Sequence, residues 1–189
     1  MHRLSWRALT RALLLMMILM SPMSPISPVA PAWAQLLPLG PPEFVSVSSG
    51  AFAVRDREEG EETYEAGWEV RFPARRLRYL RGSVPEVIPV LGAMAGSRSI
   101  LYLYGGFRLD LPLGGRWMVS PGWATGVYYR GYGMDLGNAL EFRSHLELAY
   151  LLNRDARVGL CVYHLSNAGI SDRNPGSESV VLTYSSRLR

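Results

Sequence analysis

The stretch YEAGWEVRF, at residues 64–72, alternates apolar and polar side chains with a period of two. One face carries Tyr64, Ala66, Trp68, Val70 and Phe72, and the other carries Glu65, Gly67, Glu69 and Arg71. Because successive side chains of a β-strand point to opposite faces, this pattern predicts a strand with one apolar and one charged side. No helical periodicity persists in the rest of the sequence, so the chain is predicted to be all-β.

Similar alternation recurs along the chain and is interrupted by turn residues. The clearest later example sets Leu146, Leu148, Tyr150 and Leu152 opposite His145, Glu147 and Ala149. We predict eight strands of about 10 residues each. Their approximate bounds are 43–54, 63–72, 84–95, 100–110, 116–129, 142–153, 157–166 and 178–188. Pro85 and Pro89 in the third strand and Pro121 in the fifth cannot donate a ladder hydrogen bond, so bulges or lost pairing are expected there.

The N-terminal segment has the three parts of an export signal. Its basic region, apolar run and cleavage site are Arg3, Arg7 and Arg11, then residues 12–20, then Ala32-Trp33-Ala34 before Gln35. The apolar run of nine residues cannot span a bilayer as a helix, which needs about 20 residues. We therefore predict a signal peptide over residues 1–34, cleaved on export, and one domain over residues 35–189.

Composition argues against several classes of function. The net charge of +4 falls to +1 when the predicted signal, with three arginines and no acidic residue, is removed. A nucleic-acid partner therefore has no electrostatic support. The single cysteine, Cys161, cannot form an internal disulfide, and no ligand cluster suggests a metal or another cofactor.

Eight antiparallel strands behind an export signal predict a closed barrel, of which two kinds exist. A soluble lipid-carrying barrel turns its apolar face inward, whereas an outer-membrane barrel turns it toward lipid and keeps polar residues inside. Alternation alone does not separate the two. Charges of both signs on the polar face, and aromatic residues near strand ends, favour an eight-stranded transmembrane barrel. The aromatic residues are Tyr64, Phe72, Trp117, Tyr128, Tyr129 and Tyr184.

The strand order then predicts which chain segments share one end of the barrel. With periplasmic termini, the first strand runs outward and the eighth runs inward. The predicted extracellular loops lie near residues 55–62, 96–99, 130–141 and 167–177. This arrangement brings His164 and Ser166, Glu178 and Phe142 to the same outer rim.

A histidine, a serine and a carboxylate at this rim are the chemical types of a serine-hydrolase triad. His164 and Ser166 are two residues apart, so on a strand they share a face about 7 Å apart. Glu178 follows His164 by fourteen residues, which allows a hairpin to return the carboxylate beside the imidazole. Ser166 would be the nucleophile, His164 its general base, and Glu178 the group that orients the imidazole. The competing interpretation is three ordinary polar residues at a hairpin tip.

These three residues share their strand faces with apolar side chains. Val158, Leu160 and Val162 have the parity of His164 and Ser166, and Val180, Leu182, Tyr184 and Leu188 have that of Glu178. If the apolar sets face lipid, the polar trio does too, where an unpaired polar group costs on the order of a few kcal/mol. A triad acting on an amphiphile would explain that cost. His145 has inward parity and is a poor alternative base.

Several motifs resemble the lipid A 3-O-deacylase family, outer-membrane hydrolases of lipopolysaccharide. They are HLSNAG at 164–169, NPGSE at 174–178, LEFRS at 140–144, LPLGG at 111–115 and DLG at 135–137. The resemblance implies an eight-stranded barrel that hydrolyses the ester holding a 3-hydroxyacyl chain at the 3-position of lipid A. It also implies an active site toward the outer leaflet and a reaction without cofactor or metal.

Carried over residue by residue, the resemblance assigns the triad to His164, Ser166 and Glu178. Phe142 matches a phenylalanine beside the family's active site. The predicted substrate is the lipid A part of lipopolysaccharide, and outer-membrane lipid is the predicted surrounding partner.

Further residues are predicted to complete this site. Asn167 and Asn174 match asparagines that shape the family's site. The oxyanion is expected to bind Asn174 or backbone N–H groups in the stretch from Asn167 to Gly169. Arg130 and Arg173, near the outer rim, are candidates to bind lipid A phosphates.

Two rival functions remain open. A non-catalytic outer-membrane barrel with a structural or adhesive role requires only the alternation. A soluble periplasmic lipid carrier requires the opposite facing of the strands. The sequence also leaves a homodimer open.

Overall fold

The computed structural model describes residues 39–54, 63–75 and 86–188. The predicted signal at 1–34, the charged loop at 55–62 and most of the turn after the second predicted strand lie outside these residues. The cleaved signal therefore stays a prediction. No helix within the described part is long and apolar enough to cross a membrane.

The described residues form nine antiparallel β-strands. They are β1 (Phe44–Ala51), β2 (Tyr64–Arg71), β3 (Val87–Gly96), β4 (Ile100–Leu109), β5 (Leu111–Gly114), β6 (Trp117–Tyr129), β7 (Leu140–Leu151), β8 (Ala156–Ser166) and β9 (Ser177–Arg187). A single 3₁₀ turn at Ser97–Ser99 joins β3 to β4. The eight long strands agree with the eight predicted from the sequence.

The strands close into a ring. Consecutive strands pair from β1 to β4, β4 pairs with β6, and pairing continues from β6 to β9. The last strand then pairs back with the first, from Phe44 against Arg187 to Ala51 against Val180. The short β5 continues β4 past Asp110 and pairs with the same neighbour, β6. The architecture is therefore a closed eight-stranded antiparallel barrel, as predicted.

Neither Pro89 nor Pro121 forms the bulge that was one of the two predicted outcomes, whereas the predicted loss of pairing is confirmed at both on one side; Pro85 lies outside the described residues. The register runs through Pro89, opposite Phe107, and through Pro121, opposite Leu146, without a shift. Each proline lies where pairing with its other neighbour stops: the β2 ladder ends at Val90, and β6 changes partner beside Asp110. A missing N–H is tolerated at such positions. The one register shift in these ladders lies between Pro112 and Gly114.

The faces of the barrel are inverted relative to a water-soluble barrel. Exposed apolar residues of the outward face include Val47, Trp68, Leu103, Val127, Leu146, Leu160, Val162 and Leu182. Buried polar residues of the inward face include Glu69, Arg71, Arg108, Ser120, Arg143, His145, Glu147, Arg157 and Ser185. A barrel of this kind meets lipid with its outer surface. The facing required for a soluble lipid carrier is therefore contradicted.

A network of ion pairs fills the middle of the barrel. Arg108 Nη2 lies 2.7 Å from Glu147 Oε2, and Arg108 Nε lies 3.1 Å from Asp110 Oδ1. Asp110 Oδ2 in turn lies 2.7 Å from Arg157 Nη1, and Arg71 Nε lies 3.3 Å from Glu69 Oε1. Because these residues come from different strands, the network ties strands together across the barrel interior. The mixed charges predicted for the polar face are thus paired inside.

An apolar cluster, here called the plug, closes the interior at the end where β7 begins and β8 ends. It includes Phe52, Tyr102, Tyr128, Leu136 and Leu165, all 5% exposed or less. The Phe52 and Tyr128 rings stack with centroids 6.4 Å apart. The prediction that Tyr128 belongs to an outer aromatic girdle is therefore wrong, because the alternation of β6 turns it inward. Its neighbour Tyr129 does face outward and is 64% exposed.

We expect Arg108→Met to destabilise the barrel by about 3–5 kcal/mol. The substitution removes a cation whose side chain is 2% exposed and leaves the Glu147 and Glu69 carboxylates with less compensation. Urea unfolding of the protein isolated in detergent measures the change. Arg187→Met is the control, because its ion pair with Asp155 is about half exposed and is worth less than about 1 kcal/mol. Equal shifts for both variants would contradict a stabilising interior network.

Candidate active site

The predicted trio lies at the plug end of the barrel, where three strands present their ends side by side. His164 and Ser166 close β8, Glu178 opens β9, and Phe142 opens β7. His164 is the cross-strand partner of Glu178, and Ser166 is that of Phe142. The antiparallel register thus brings all four predicted residues to one rim.

His164 and Glu178 are in direct contact. Nδ1 of the imidazole lies 3.2 Å from Oε1 of the carboxylate. Their side chains are 42% and 38% exposed, so the pair remains reachable from outside. A carboxylate at Nδ1 favours the tautomer with its proton there, which leaves Nε2 able to accept a proton. This is the arrangement of a general base and its orienting group.

Ser166 shares the outward face with His164 at a distance of two residues along β8. It is partly buried, and Phe142 on β7 is its cross-strand partner. Within the described residues, no hydrogen bond joins Ser166 Oγ to the His164 imidazole. Such bonds are often long in free enzymes and shorten when substrate is bound. The structure therefore places the predicted nucleophile and the predicted base on one face of one strand, without a hydrogen bond between them.

A groove of ≈ 550 Å³ adjoins the His164–Glu178 pair on the outer surface. Beside these two residues its lining includes the outward side chains Pro121, Ser144, Leu146, Val162 and Val180. These residues come from β6, β7, β8 and β9, so the groove runs across the strands below the rim. An apolar depression beside an imidazole and a carboxylate suits an ester with a hydrocarbon chain.

Phe142 lies on the other side of the trio. Its ring stacks on Trp123 with centroids 5.7 Å apart and an interplanar angle of 22°. Because Phe142 is the cross-strand partner of Ser166, this aromatic pair borders the predicted nucleophile. Its position agrees with the predicted place beside the site.

Asn167 makes several hydrogen bonds that organise the loop between β8 and β9. Its side chain is completely buried, and its Nδ2 lies 2.9 Å from Leu136 O and 2.8 Å from Arg173 O. Its Oδ1 accepts a hydrogen bond from Gly169 N at 3.0 Å. Asn167 therefore shapes the loop, and both ends of its carboxamide are used in hydrogen bonds within the chain.

Hydrogen bonds within the β8–β9 loop reduce the number of N–H groups that are free to bind an oxyanion. Asn167 N donates to Asn174 Oδ1 at 3.0 Å, and Gly169 N donates to Asn167 Oδ1. Two of the three backbone N–H groups in the predicted stretch, those of Asn167 and Gly169, are therefore occupied in the free chain. Among the described residues, neither Ala168 N–H nor Asn174 Nδ2 has a hydrogen-bond acceptor. Asn174 thus stays a candidate, joined by Ala168.

The two predicted phosphate-binding arginines lie together on the rim at the plug end of the barrel. Arg130 Nη1 lies 2.9 Å from Asp135 Oδ2, and Arg173 Nε donates to Asp135 O at 3.2 Å. Both side chains are on the exposed surface. Asp135 therefore gathers two guanidinium groups beside the active-site loop. By contrast, His145 lies inside the barrel, 6% exposed, as its parity predicted.

The sequence did not reveal the partners of the active-site loop. The loop between β6 and β7 supports it through Leu136 O and through Gly137 O, which accepts from Ser171 Oγ at 3.0 Å. Gly176 was recognised only as part of a motif, yet it packs on the His164 ring. The glycines of the DLG and NPGSE motifs were the signal that both segments pack closely, Gly137 on the backbone of Arg173 and Gly176 on the side chain of His164.

Comparison with known proteins shows which family this part of the chain resembles. A family model described as lipid A 3-O-deacylase (PagL) matches residues 97–187, a range that includes every predicted site residue. Lipid A deacylase PagL of Bordetella bronchiseptica is 47% identical over 49 residues, which are 26% of this chain. The match spans 28% of that relative's length.

The crystal structure of the outer membrane enzyme PagL is also similar. It superposes with a TM-score of 0.54 at 20% sequence identity, covering 77% of this chain and 99% of that chain. At this identity the likeness shows the barrel fold alone. None of these comparisons supports a homodimer. Residues 97–187 match the lipid A 3-O-deacylase family, which confirms the resemblance predicted from the sequence.

Proposed function

We propose that this chain is a serine esterase that hydrolyses the ester-linked 3-hydroxyacyl chain at the 3-position of lipid A. The observation that carries the proposal is the 3.2 Å contact between His164 and Glu178 on the outward face, two residues from Ser166. It lies within the range that matches the deacylase family.

The facing of the site supports an amphiphilic substrate. His164, Ser166 and Glu178 share their strand faces with exposed apolar residues such as Leu160 and Leu182. A polar group this close to lipid costs free energy, so it is expected to be hydrogen-bonded or to have a function. A substrate that already lies in the outer leaflet reaches such a site laterally, without leaving the membrane.

The acylation step follows from the tautomer of His164. With Nδ1–H directed to Glu178, Nε2 removes the proton from Ser166 Oγ as that oxygen attacks the ester carbonyl. The tetrahedral intermediate collapses when Nε2 returns the proton to the 3-oxygen of the sugar. The products are a deacylated lipid A and an acyl ester on Ser166.

The deacylation step repeats this chemistry with water. Nε2 of His164 removes a proton from water, which attacks the acyl-Ser166 carbonyl, and the protonated imidazole then returns a proton to Ser166 Oγ. Glu178 stabilises the imidazolium in both steps. The released product is a 3-hydroxy fatty acid.

The oxyanion of each intermediate needs N–H donors that are not otherwise used. Ala168 N–H and Asn174 Nδ2 belong to the loop that follows Ser166 and meet this requirement. A donor of this kind lowers the barrier by about 3 kcal/mol. Asn167 contributes by holding the loop, through its bonds to Leu136 and Arg173.

The groove and the arginines supply the substrate contacts. The groove lined by Leu146, Val162 and Val180 receives the acyl chain that is cleaved. Arg130 and Arg173, on the exposed rim, bind the phosphate groups of the lipid A head. Acyl chain and head group thus lie on opposite sides of the His164–Glu178 pair.

The outward surface of the barrel also supports a proposal for where the protein is located. An apolar outward face and the predicted export signal support a location in the outer membrane, with the rim of the candidate site toward the outer leaflet. The alternative is a non-catalytic structural barrel. That alternative leaves the outward His164–Glu178 contact without a role.

We expect Ser166→Ala to abolish deacylation while the barrel folds normally, because the variant lacks only the nucleophile. Mass spectrometry of lipid A, after incubation with the protein in detergent, detects the loss of one 3-hydroxyacyl group. Ser186→Ala is the matched control: Ser186 lies at the other end of β9 and shares the strand parity of Glu178. A folded Ser166→Ala protein with full activity would remove Ser166 from the mechanism.

We expect Val180→Trp to lower the rate on long-chain esters, because the indole fills the groove. The rate on a short-chain ester, which does not need the groove, should change little. Leu182→Trp is the control, since Leu182 lies two residues further on the same face and outside the groove. The ratio of kcat/KM values for the two esters measures the effect. Equal ratios in both variants would argue against the groove as the acyl site.

A further inference from the structure

The loop between β8 and β9 returns over the His164 ring at Gly176. Gly176 is buried and has a φ of +72°, in the left-handed region. A Cβ at this position would lie 2.6 Å from Cε1 and 3.3 Å from Nε2 of His164. The first distance is shorter than non-bonded carbon atoms allow, so the ring and a side chain cannot both occupy this space.

We propose that Gly176 is a positioning residue that holds the His164 imidazole in its reactive orientation. This inference rests on the proposed function and adds a residue to its site. Glu178 holds the ring at Nδ1, and the Gly176 backbone packs against the edge formed by Cε1 and Nε2. The ring is thus held from two sides, and both contacts come from the start of β9 and the residue just before it.

The position of Gly176 depends on a second loop. Gly137, with a φ of +90°, packs so closely on the backbone of Arg173 that a Cβ there would lie 1.9 Å from Arg173 O. Asn167 bonds both loops, through Leu136 O and Arg173 O. Packing and hydrogen bonds with the β6–β7 loop therefore hold the β8–β9 loop in the position where Gly176 contacts the His164 ring.

Glycine at position 176 has a simpler explanation, namely the left-handed backbone alone. The two explanations predict different results for alanine. Gly115, with a φ of +59° in the turn between β5 and β6, has no atom within 4 Å of an added Cβ. Gly115→Ala therefore carries the backbone strain without the steric contact, which makes it the matched control for Gly176→Ala.

The test combines kinetics with a direct signal from the ring. For Gly176→Ala we expect kcat to fall about 100-fold, because a misplaced catalytic group loses about this much. KM should stay unchanged, since the groove and the arginines are untouched. With histidine labelled at ¹³Cε1, the protein without the predicted signal gives resonances only from His145 and His164, since the third histidine, His2, lies in that signal. His164→Gln identifies the His164 resonance by its loss.

The expected outcome is that Gly176→Ala moves the His164 resonance and lowers kcat, leaving the His145 resonance in place. Gly115→Ala should change neither kcat nor the His164 resonance. Unchanged kcat in Gly176→Ala would overturn the proposal. So would an equal loss of kcat in both variants, or a loss of kcat with an unmoved His164 resonance.

A measurement on the wild-type chain covers the case in which Gly176→Ala does not fold. The structure predicts a nuclear Overhauser effect between the Hα protons of Gly176 and Hε1 of His164. Its absence would overturn the proposed contact. If the wild-type chain removes no acyl group from lipid A, the proposed function fails. The Overhauser effect and the shifted resonance then still decide whether Gly176 holds the ring.

Discussion

Closure of the backbone hydrogen-bond ring between β1 and β9 is the constraint on which the rest of this structure depends. In lipid every backbone donor and acceptor must be paired within the protein, and a closed sheet is the way in which strands achieve this. Closure also fixes the side on which each residue lies, since alternation allows no freedom once neighbours are paired. Arg108 and Glu147 must point inward and pair, whereas Leu160 and His164 must point outward.

The interior has two layers with different roles. The ion-pair network around Arg108 ties distant strands together and keeps the register of the barrel. The plug, which includes Tyr128 and Leu136, is the apolar layer beneath the β6–β7 and β8–β9 loops. Leu136 connects the plug to the β8–β9 loop, because its side chain is buried in the plug while its carbonyl accepts a hydrogen bond from Asn167. Packing inside the barrel is in this way connected to the loop that meets the His164 ring.

The alternation predicted much of the fold from the sequence. It predicted the eight long strands, while the charges of both signs and the aromatic residues favoured an outward apolar face, and the strand order predicted the shared rim of His164, Ser166 and Glu178. Tyr128 was misplaced because its aromatic character was weighed above its parity: with Trp117 and Trp123 outward, alternation turns Tyr128 inward. At Pro89 and Pro121 the sequence left bulges and lost pairing as alternatives, and the structure shows lost pairing on one side, because a neighbouring ladder ends at each proline.

The loop contacts lay beyond such reasoning. The bond from Asn167 to Leu136 O and the packing of Gly176 on His164 join segments without periodicity, whose paths depend on left-handed residues such as Ala168 and Gly169. The hydrogen bonds that occupy the N–H groups of Asn167 and Gly169 follow from those paths. Motif resemblance indicated which loops matter, and the structure indicates how they are held.

The central claim is that Ser166 is a nucleophile activated by His164 on the lipid-facing side of the barrel. The most direct measurement is labelling of intact outer membranes with a long-chain fluorophosphonate, which phosphonylates an activated serine with loss of fluoride. Trypsin then releases the peptide of residues 158–173, and fragmentation distinguishes Ser166 from Ser171. The account predicts an adduct on Ser166 that disappears in His164→Ala. An active protein whose adduct lies on another residue, or forms equally without His164, would contradict it.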